Sequence, residues 1–157
     1  MSIPFLTRPI STADARSVRA PVLRAGRPPE TAAMPLDDDA ATFHAGAFSE
    51  GRLLSVATVY PESMPEALAY APAGPKRTGP AYRLRGMATL PEAQKRGAGR
   101  AVLALCREHA RSHGSAFVWC NARVGALAFY RREGFVTVGD AFEIEGIGPH
   151  YVMWRPA

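Results

Sequence analysis

The sequence predicts an α/β domain, with a central mixed, mostly antiparallel sheet of six to seven strands flanked by helices. Three observations lead there. Strand-like runs joined by a hairpin turn fill much of the first sixty residues. A strand, an amphipathic helix and a short apolar run then follow in crossover order from Tyr82 to Cys120. Two further strand-like runs close the chain behind a second, shorter helix. The expected element order is β-α-β-β-β-α-β-α-β-β.

Ile3 to Arg8 reads as the first strand. Ser11 or Thr12 is the expected N-cap of a helix that carries Asp14 in its first turn and runs to about Leu23, with Pro21 limiting its end. Arg24 to Pro35 holds Gly26, Pro28 and Pro29 and reads as a loop. Thr42–Phe48 and Leu53–Tyr60 are strand-like, and Ser49-Glu50-Gly51-Arg52 between them is a hairpin turn with Gly free to take positive φ. Pro61 to Pro80 contains five prolines and reads as a second irregular connection. Tyr82–Leu90 resumes strand character and completes an antiparallel meander. From Gly97 to Gly114 the period becomes helical, with Ala98, Ala101, Val102, Leu105, Cys106 and His109 on one face. Ala116–Cys120 is short and continuously apolar, as a buried strand is. Val124–Glu133 reads as a helix ending at Gly134. Phe135–Glu143 and Tyr151–Trp154 form a final pair, joined by a turn that contains His150.

At 157 residues the chain is long enough for one domain, residues 1–157, with a substantial core. Hydrophobic residues make up 47% and charged residues 21%, as in ordinary globular domains, and no apolar run approaches the length of a membrane span. Met1 to Phe5 lacks the basic and apolar regions of a secretory signal, so cytoplasm is the expected compartment. Cys106 and Cys120 read as small core residues kept reduced. His44, His109 and His113 are scattered, and no His/Cys/Asp/Glu spacing points to a metal. The formal charge of +5 admits a nucleic-acid partner, but no helix-turn-helix, zinc-finger or RRM signature accompanies it.

The most informative stretch is Gln94-Lys95-Arg96-Gly97-Ala98-Gly99-Arg100, between the strand Tyr82–Leu90 and the helix that follows. Two glycines around a small residue let the backbone turn tightly. The helix start adds donors that lack intrahelical acceptors and the positive end of the helix dipole. Lys95, Arg96 and Arg100 add charge, which makes a site for phosphate oxygens. The P-loop string does not occur in the chain. The dinucleotide fingerprint fails too, because Val102 stands where a third Gly or Ala is required and no acid follows at the end of the next strand.

These residues resemble the acyl-CoA loop of the GNAT N-acetyltransferase superfamily, whose pattern is Gln/Arg, two residues, Gly, one residue, then Gly or Ala. Met87-Ala88-Thr89-Leu90-Pro91-Glu92 before the loop is similar to the end of that family's fourth strand. Ala126-Leu127-Ala128-Phe129-Tyr130-Arg131-Arg132-Glu133-Gly134-Phe135 is similar to its A-x-x-F/L-Y-x-x-x-G-F segment. The resemblance is specific from about residue 81 to 155 and rests on element order before that.

The resemblance implies a single GNAT-like domain that transfers acetyl from acetyl-CoA to a primary amine by direct attack in a ternary complex. Met87, Ala88 and Thr89 would bond the pantetheine arm. Gln94, Lys95, Arg96, Gly97, Ala98, Gly99 and Arg100 would hold the pyrophosphate, and Asn121 and Phe129 would lie beside the cofactor. Tyr130 aligns with the tyrosine that returns a proton to the CoA thiolate, and a phenol suits a thiolate of similar basicity. Many relatives carry Asn seven residues before that tyrosine, where this chain has Arg123. Glu143, Glu145 and His150 are the candidates for the base, and His150 is taken as the catalytic one. Acceptor choice falls to the irregular segments 24–40 and 61–80. The expected partners are a coenzyme A thioester and an amine, with no membrane and nucleic acid disfavoured; a homodimer and larger acyl groups stay open. The competing reading is a non-catalytic module of the same fold that senses acyl-CoA or binds nucleic acid.

Overall fold

Ser11 shows how local chemistry starts this fold: its side chain accepts a hydrogen bond from the Asp14 N–H and caps α1, Thr12–Leu23, in the computed structural model, which describes residues 5–157. Pro21 is accommodated inside the last turns of α1. Before it lies β1, Leu6–Pro9; Ile3 and Pro4, expected in the same strand, fall outside the described residues. Glu50 and Gly51 both take positive φ, 52° and 76°, and Ser49 faces Arg52 across the turn. That pair joins β2, Phe43–Ser49, to β3, Arg52–Pro61, with the handedness a two-residue hairpin needs. β4, Ala81–Thr89, is followed by α3, Ala98–Ser112, and β5, Phe117–Arg123. α4, Leu127–Arg132, and the hairpin β6, Val136–Ile144, with β7, Gly148–Pro156, complete the chain.

The strand order is β1-β2-β3-β4-β5-β7-β6. β1/β2, β2/β3, β5/β7 and β6/β7 are antiparallel, and β4 and β5 are parallel through Ala81–Phe117 and Arg83–Trp119. The mixed, mostly antiparallel sheet and the crossover helix are therefore as expected. Several details are not. The proline-rich connection 61–80 contains a one-turn helix, α2, Glu66–Ala69, and the loop after α1 contains a 3-10 turn, Pro29–Ala32. Val124–Ala126 is a 3-10 turn ahead of α4 rather than part of it. β7 begins at Gly148, so His150 lies within a strand and not in the turn the sequence suggests. The fully buried residues of α3 are Ala98, Val102, Leu103, Cys106 and Ala110. Leu105 and His109 of the expected face are half-buried, and the His109 ring stacks on Phe43 (4.1 Å).

Packing divides the chain into two units, Met1–Tyr60 with Leu84–His109, and Pro61–Arg83 with Ala110–Ala157. In the first, α1 packs through Val18 on Val56 and Ala88, with Ile10, Val22, Leu53 and Leu90 around them. In the second, Phe117, Trp119, Val138 and Val152 form a sheet face that Met64 and Ala69 cover. The connection 61–80 is tied down there: the Trp119 indole N–H donates to Glu62 O (2.8 Å) and the Trp154 indole N–H to Ala73 O (2.8 Å).

Candidate active site

In the first unit, the end of β4 and the loop behind it are held in a defined shape. The Ser55 hydroxyl donates to Ala88 O (3.2 Å) and lies 2.7 Å from the Thr89 hydroxyl. Carbonyls alternate in direction along a strand, so the peptide groups of Met87 and Thr89 face away from Ser55. The Gln94 amide donates to Thr89 O (3.2 Å) and folds the loop back on the strand end. A 3-10 turn, Pro91–Ala93, leads in, anchored by an ion pair from Arg52 to Glu92 (2.5 Å). Glu92's own backbone N–H and then Arg52 hold its carboxyl below the ordinary 4.5, despite some desolvation.

Two residues of the loop occupy the left-handed region, Lys95 at φ 61° and Gly97 at φ 93°. The sequence points to the glycine; the lysine is a new observation. The first α3 bond runs from Ala101 N–H to Gly97 O (3.0 Å), so the donors of Ala98 and Gly99 precede the intrahelical ladder. A Cβ built on Gly97 would meet nothing within 4 Å. Open space beside Gly97, first-turn donors and the nearby cations Lys95, Arg96 and Arg100 are features that suit an anion. Arg96 also borders a cavity of about 420 Å³ with Arg52, Glu92, Ala93 and Leu54.

Beneath this strand end lies a buried polar network. Arg19, with no exposed surface, donates to the Asp37 carboxylate (2.8 Å), to Ala32 O (3.3 Å) and to the Thr58 hydroxyl (2.7 Å). The same Asp37 oxygen accepts from Arg16 (3.1 Å) and from Met34 N–H (3.0 Å). Burial pushes the Asp37 carboxyl up, but the hydrogen bonds from Arg19, Met34 and Arg16 and the Arg19 charge together hold it below its ordinary 3.8. Gly86, at φ 61°, lets the guanidinium pass, since a Cβ there would lie 2.5 Å from Arg19 Nε. The segment 24–40, which the sequence assigns to acceptor choice, is anchored here through Ala32, Met34 and Asp37.

In the second unit, Tyr130 sits in α4 at 6% exposure, its ring edge-on to Phe129 (5.2 Å) and Phe135 (5.2 Å). His150 pairs with Arg123 on β5 and Phe142 on β6. Its Nδ1 lies 2.7 Å from Gly148 O. A carbonyl only accepts, so Nδ1 carries the hydrogen and Nε2 presents its lone pair in the neutral ring. Glu143 pairs with Pro149 in β6, and Glu145 follows in the β6–β7 turn. Cys120 is fully buried, and burial pushes its thiol up to about 12 against a small opposing pull from Arg83; burial also raises Cys106. Neither suits a nucleophile.

This unit also holds a cavity of about 680 Å³. Asn121 lines it together with Arg83, Trp119, Asp140 and Phe142, and with Glu62 and Leu68 from the 61–80 connection. Of these, sequence reading singled out Asn121 alone. The isolated Gly139 inside a strand pattern was the available signal for Asp140, because the β6/β7 register shifts between Val138 and Phe142. Among the described residues no cluster of three or more His, Cys, Asp or Glu can hold a metal, and no helix is long and apolar enough to cross a membrane.

A loop of positive φ thus opens a helix behind the fourth strand of this sheet. The chain belongs to the GNAT acetyltransferase family, whose acetyltransferase (GNAT) domain matches residues 32–153. It is 34% identical over 146 residues to the uncharacterised N-acetyltransferase YitI of Bacillus subtilis (strain 168), covering 93% of this chain and 92% of that protein. It is similar in fold to an aminoglycoside 6'-N-acetyltransferase complexed with coenzyme A (TM-score 0.72, 9% identity, 96% of each chain). The ribosomal-protein-S18-alanine N-acetyltransferase of Escherichia coli also shares the fold (TM-score 0.69, 16% identity, 98% of this chain and 94% of that one).

Proposed function

We propose that this protein is an acetyl-CoA-dependent N-acetyltransferase that acts on a primary amine by direct attack in a ternary complex. We read residues 1–157 as one catalytic domain, supported by a family match that runs through segments of both packing units. The observation that carries the reading is the loop, with positive φ at Lys95 and Gly97 and the first-turn donors of α3 behind them. In this reading the residues from Gln94 to Arg100 hold the pyrophosphate. Met87, Ala88 and Thr89 offer backbone groups to the pantetheine arm, with Asn121 and Phe129 beside it. The cytoplasm suits such a reaction, because acetyl-CoA is made and used there.

Acetyl-CoA supplies a thioester whose carbonyl carbon is activated toward an amine. His150 takes the amine proton at Nε2, the nitrogen its hydrogen bond to Gly148 leaves as acceptor. Tyr130 gives its phenolic proton to the sulfur as the C–S bond breaks and the C–N bond forms. The products are an N-acetyl amine and free CoA, and proton exchange with solvent returns both side chains to their starting forms. No enzyme-bound acyl group is needed, in keeping with two buried thiols of raised pKa.

The test is release of CoA thiol from acetyl-CoA with a panel of primary amines, read with a thiol-reactive dye. Amine-dependent release supports the reading; none with any amine class speaks against it. Gly97→Val is expected to leave the fold intact, because the added atoms meet open space. A β-branched residue is strained at φ 93°, so the loop rearranges and acetyl-CoA affinity falls roughly 10²-fold or more. Circular dichroism and calorimetry on the same sample check both halves. Unchanged affinity would remove the loop from the binding site.

A further inference from the structure

The 680 Å³ cavity of the second unit falls in the size range of small-molecule sites. Its charges are unevenly committed. Glu62 is held by Arg83 at 2.9 Å, and the Arg83 guanidinium lies over the Trp119 ring, 5.0 Å from its centre. Its charge is balanced by that carboxylate and set against an aromatic face, although its buried Nε has no hydrogen-bond partner among the described residues. Asp140 stands on the β6 bulge, and its side chain makes no hydrogen bond or ion pair among the described residues. The cavity thus presents one uncommitted carboxylate and a net charge of about −1, inside a chain whose net charge is +5. Phe142, Leu68, Pro65 and Val152 add apolar surface, and Ser63 and Asn121 add two neutral polar side chains.

Resting on the acetyltransferase reading, we propose that this cavity receives the acceptor, and that the acceptor is a small monoamine with an apolar or aromatic body and no carboxylate. Asp140 draws in the ammonium form and orients it, and the extra proton of the ammonium passes to solvent before the neutral amine attacks; Phe142 and Leu68 pack the body. An amino acid is disfavoured because its carboxylate meets Asp140 while the Arg83 charge is already balanced by Glu62. A polycation such as an oligoamine or a lysine-rich peptide has one carboxylate to meet in the cavity and a basic protein around it. Asp140 is a specificity residue in this scheme and takes no part in proton transfer.

The decisive probes are 2-phenylethylamine and phenylalanine, which differ by one carboxylate, together with spermidine. Their binding is measured by ligand-observed NMR on the intact protein, with and without CoA, for wild type and Asp140→Asn. Wild type is expected to bind 2-phenylethylamine at least about tenfold more tightly than either competitor, the scale of one charge-assisted contact. Asp140→Asn, isosteric and on an exposed bulge, is expected to lose most of that preference. In turnover the loss appears as a raised KM with kcat nearly unchanged. Equal or tighter binding of phenylalanine or spermidine, or a preference intact in Asp140→Asn, overturns the proposal. A protein that fails to bind acetyl-CoA in a separate titration instead refutes the acetyltransferase reading, and the amine titrations remain readable without it.

Discussion

Tyr130→Phe is expected to slow the chemical step by roughly 10²-fold or more while leaving acetyl-CoA affinity nearly unchanged. The reason is the separation of two jobs in one side chain. The ring is 6% exposed and packs edge-on between Phe129 and Phe135, and phenylalanine reproduces that packing. Only the hydroxyl is removed, and with it the proton destined for the departing sulfur. Rapid-quench measurement of a single turnover, where product release does not contribute, isolates this step. A full-rate Tyr130→Phe enzyme would assign the proton to water or another group. A large loss of thermal stability with little change in rate would make Tyr130 a packing residue.

The largest expected effect on stability is at Asp37. Its carboxylate neutralises Arg19, which has no exposed surface, and removing it leaves a buried guanidinium without its counter-ion. Breaking one side of such a pair costs about 3–5 kcal/mol, so Asp37→Ala is expected to unfold at far lower urea concentration than wild type. The pH dependence has a definite sign. The folded carboxyl titrates below its ordinary 3.8, so the unfolded chain binds the proton more readily, and Asp37 stabilises the fold at pH above that value. Its contribution is lost as pH falls through the folded pKa. The gap between wild type and variant in urea melts should therefore be full at pH 7 and shrink below about pH 4. A gap that is small at pH 7, or that does not change with acid, would show that Arg19 finds its compensation elsewhere.

What could be read from the sequence was local. Ser11 caps α1, Glu50-Gly51 turns β2 into β3, and Gly114 and Gly134 take positive φ behind α3 and α4, because neighbouring residues decide each of these. The acyl-CoA loop was legible for the same reason: its residues are contiguous. What was not legible depends on partners far along the chain. Gly148-Pro149-His150 has the composition of a turn, yet pairing with Phe142, Glu143 and Ile144 makes it strand. α2 forms among prolines because Pro65 opens a single turn that buries Ala69 and packs Leu68. Leu103 and Ala110 join Val102 and Cys106 as fully buried residues of α3 while Leu105 and His109 stay half-buried, since packing around the helix sets which stripe is covered. The cavity draws Glu62, Arg83, Asn121 and Asp140 from four separate elements, and no spacing in the sequence announces that meeting. The Arg19–Asp37 pair is likewise made by an α1 residue and a loop residue 18 positions apart.

Calorimetric titration of the purified protein with acetyl-CoA bears most directly on whether this chain uses the loop from Gln94 to Arg100 to hold a CoA thioester. The account predicts saturable one-to-one binding that weakens as salt is raised, because Lys95, Arg96 and Arg100 contribute charge to the site. Absence of binding at millimolar acetyl-CoA would contradict it, whatever fold the chain shares with acetyltransferases.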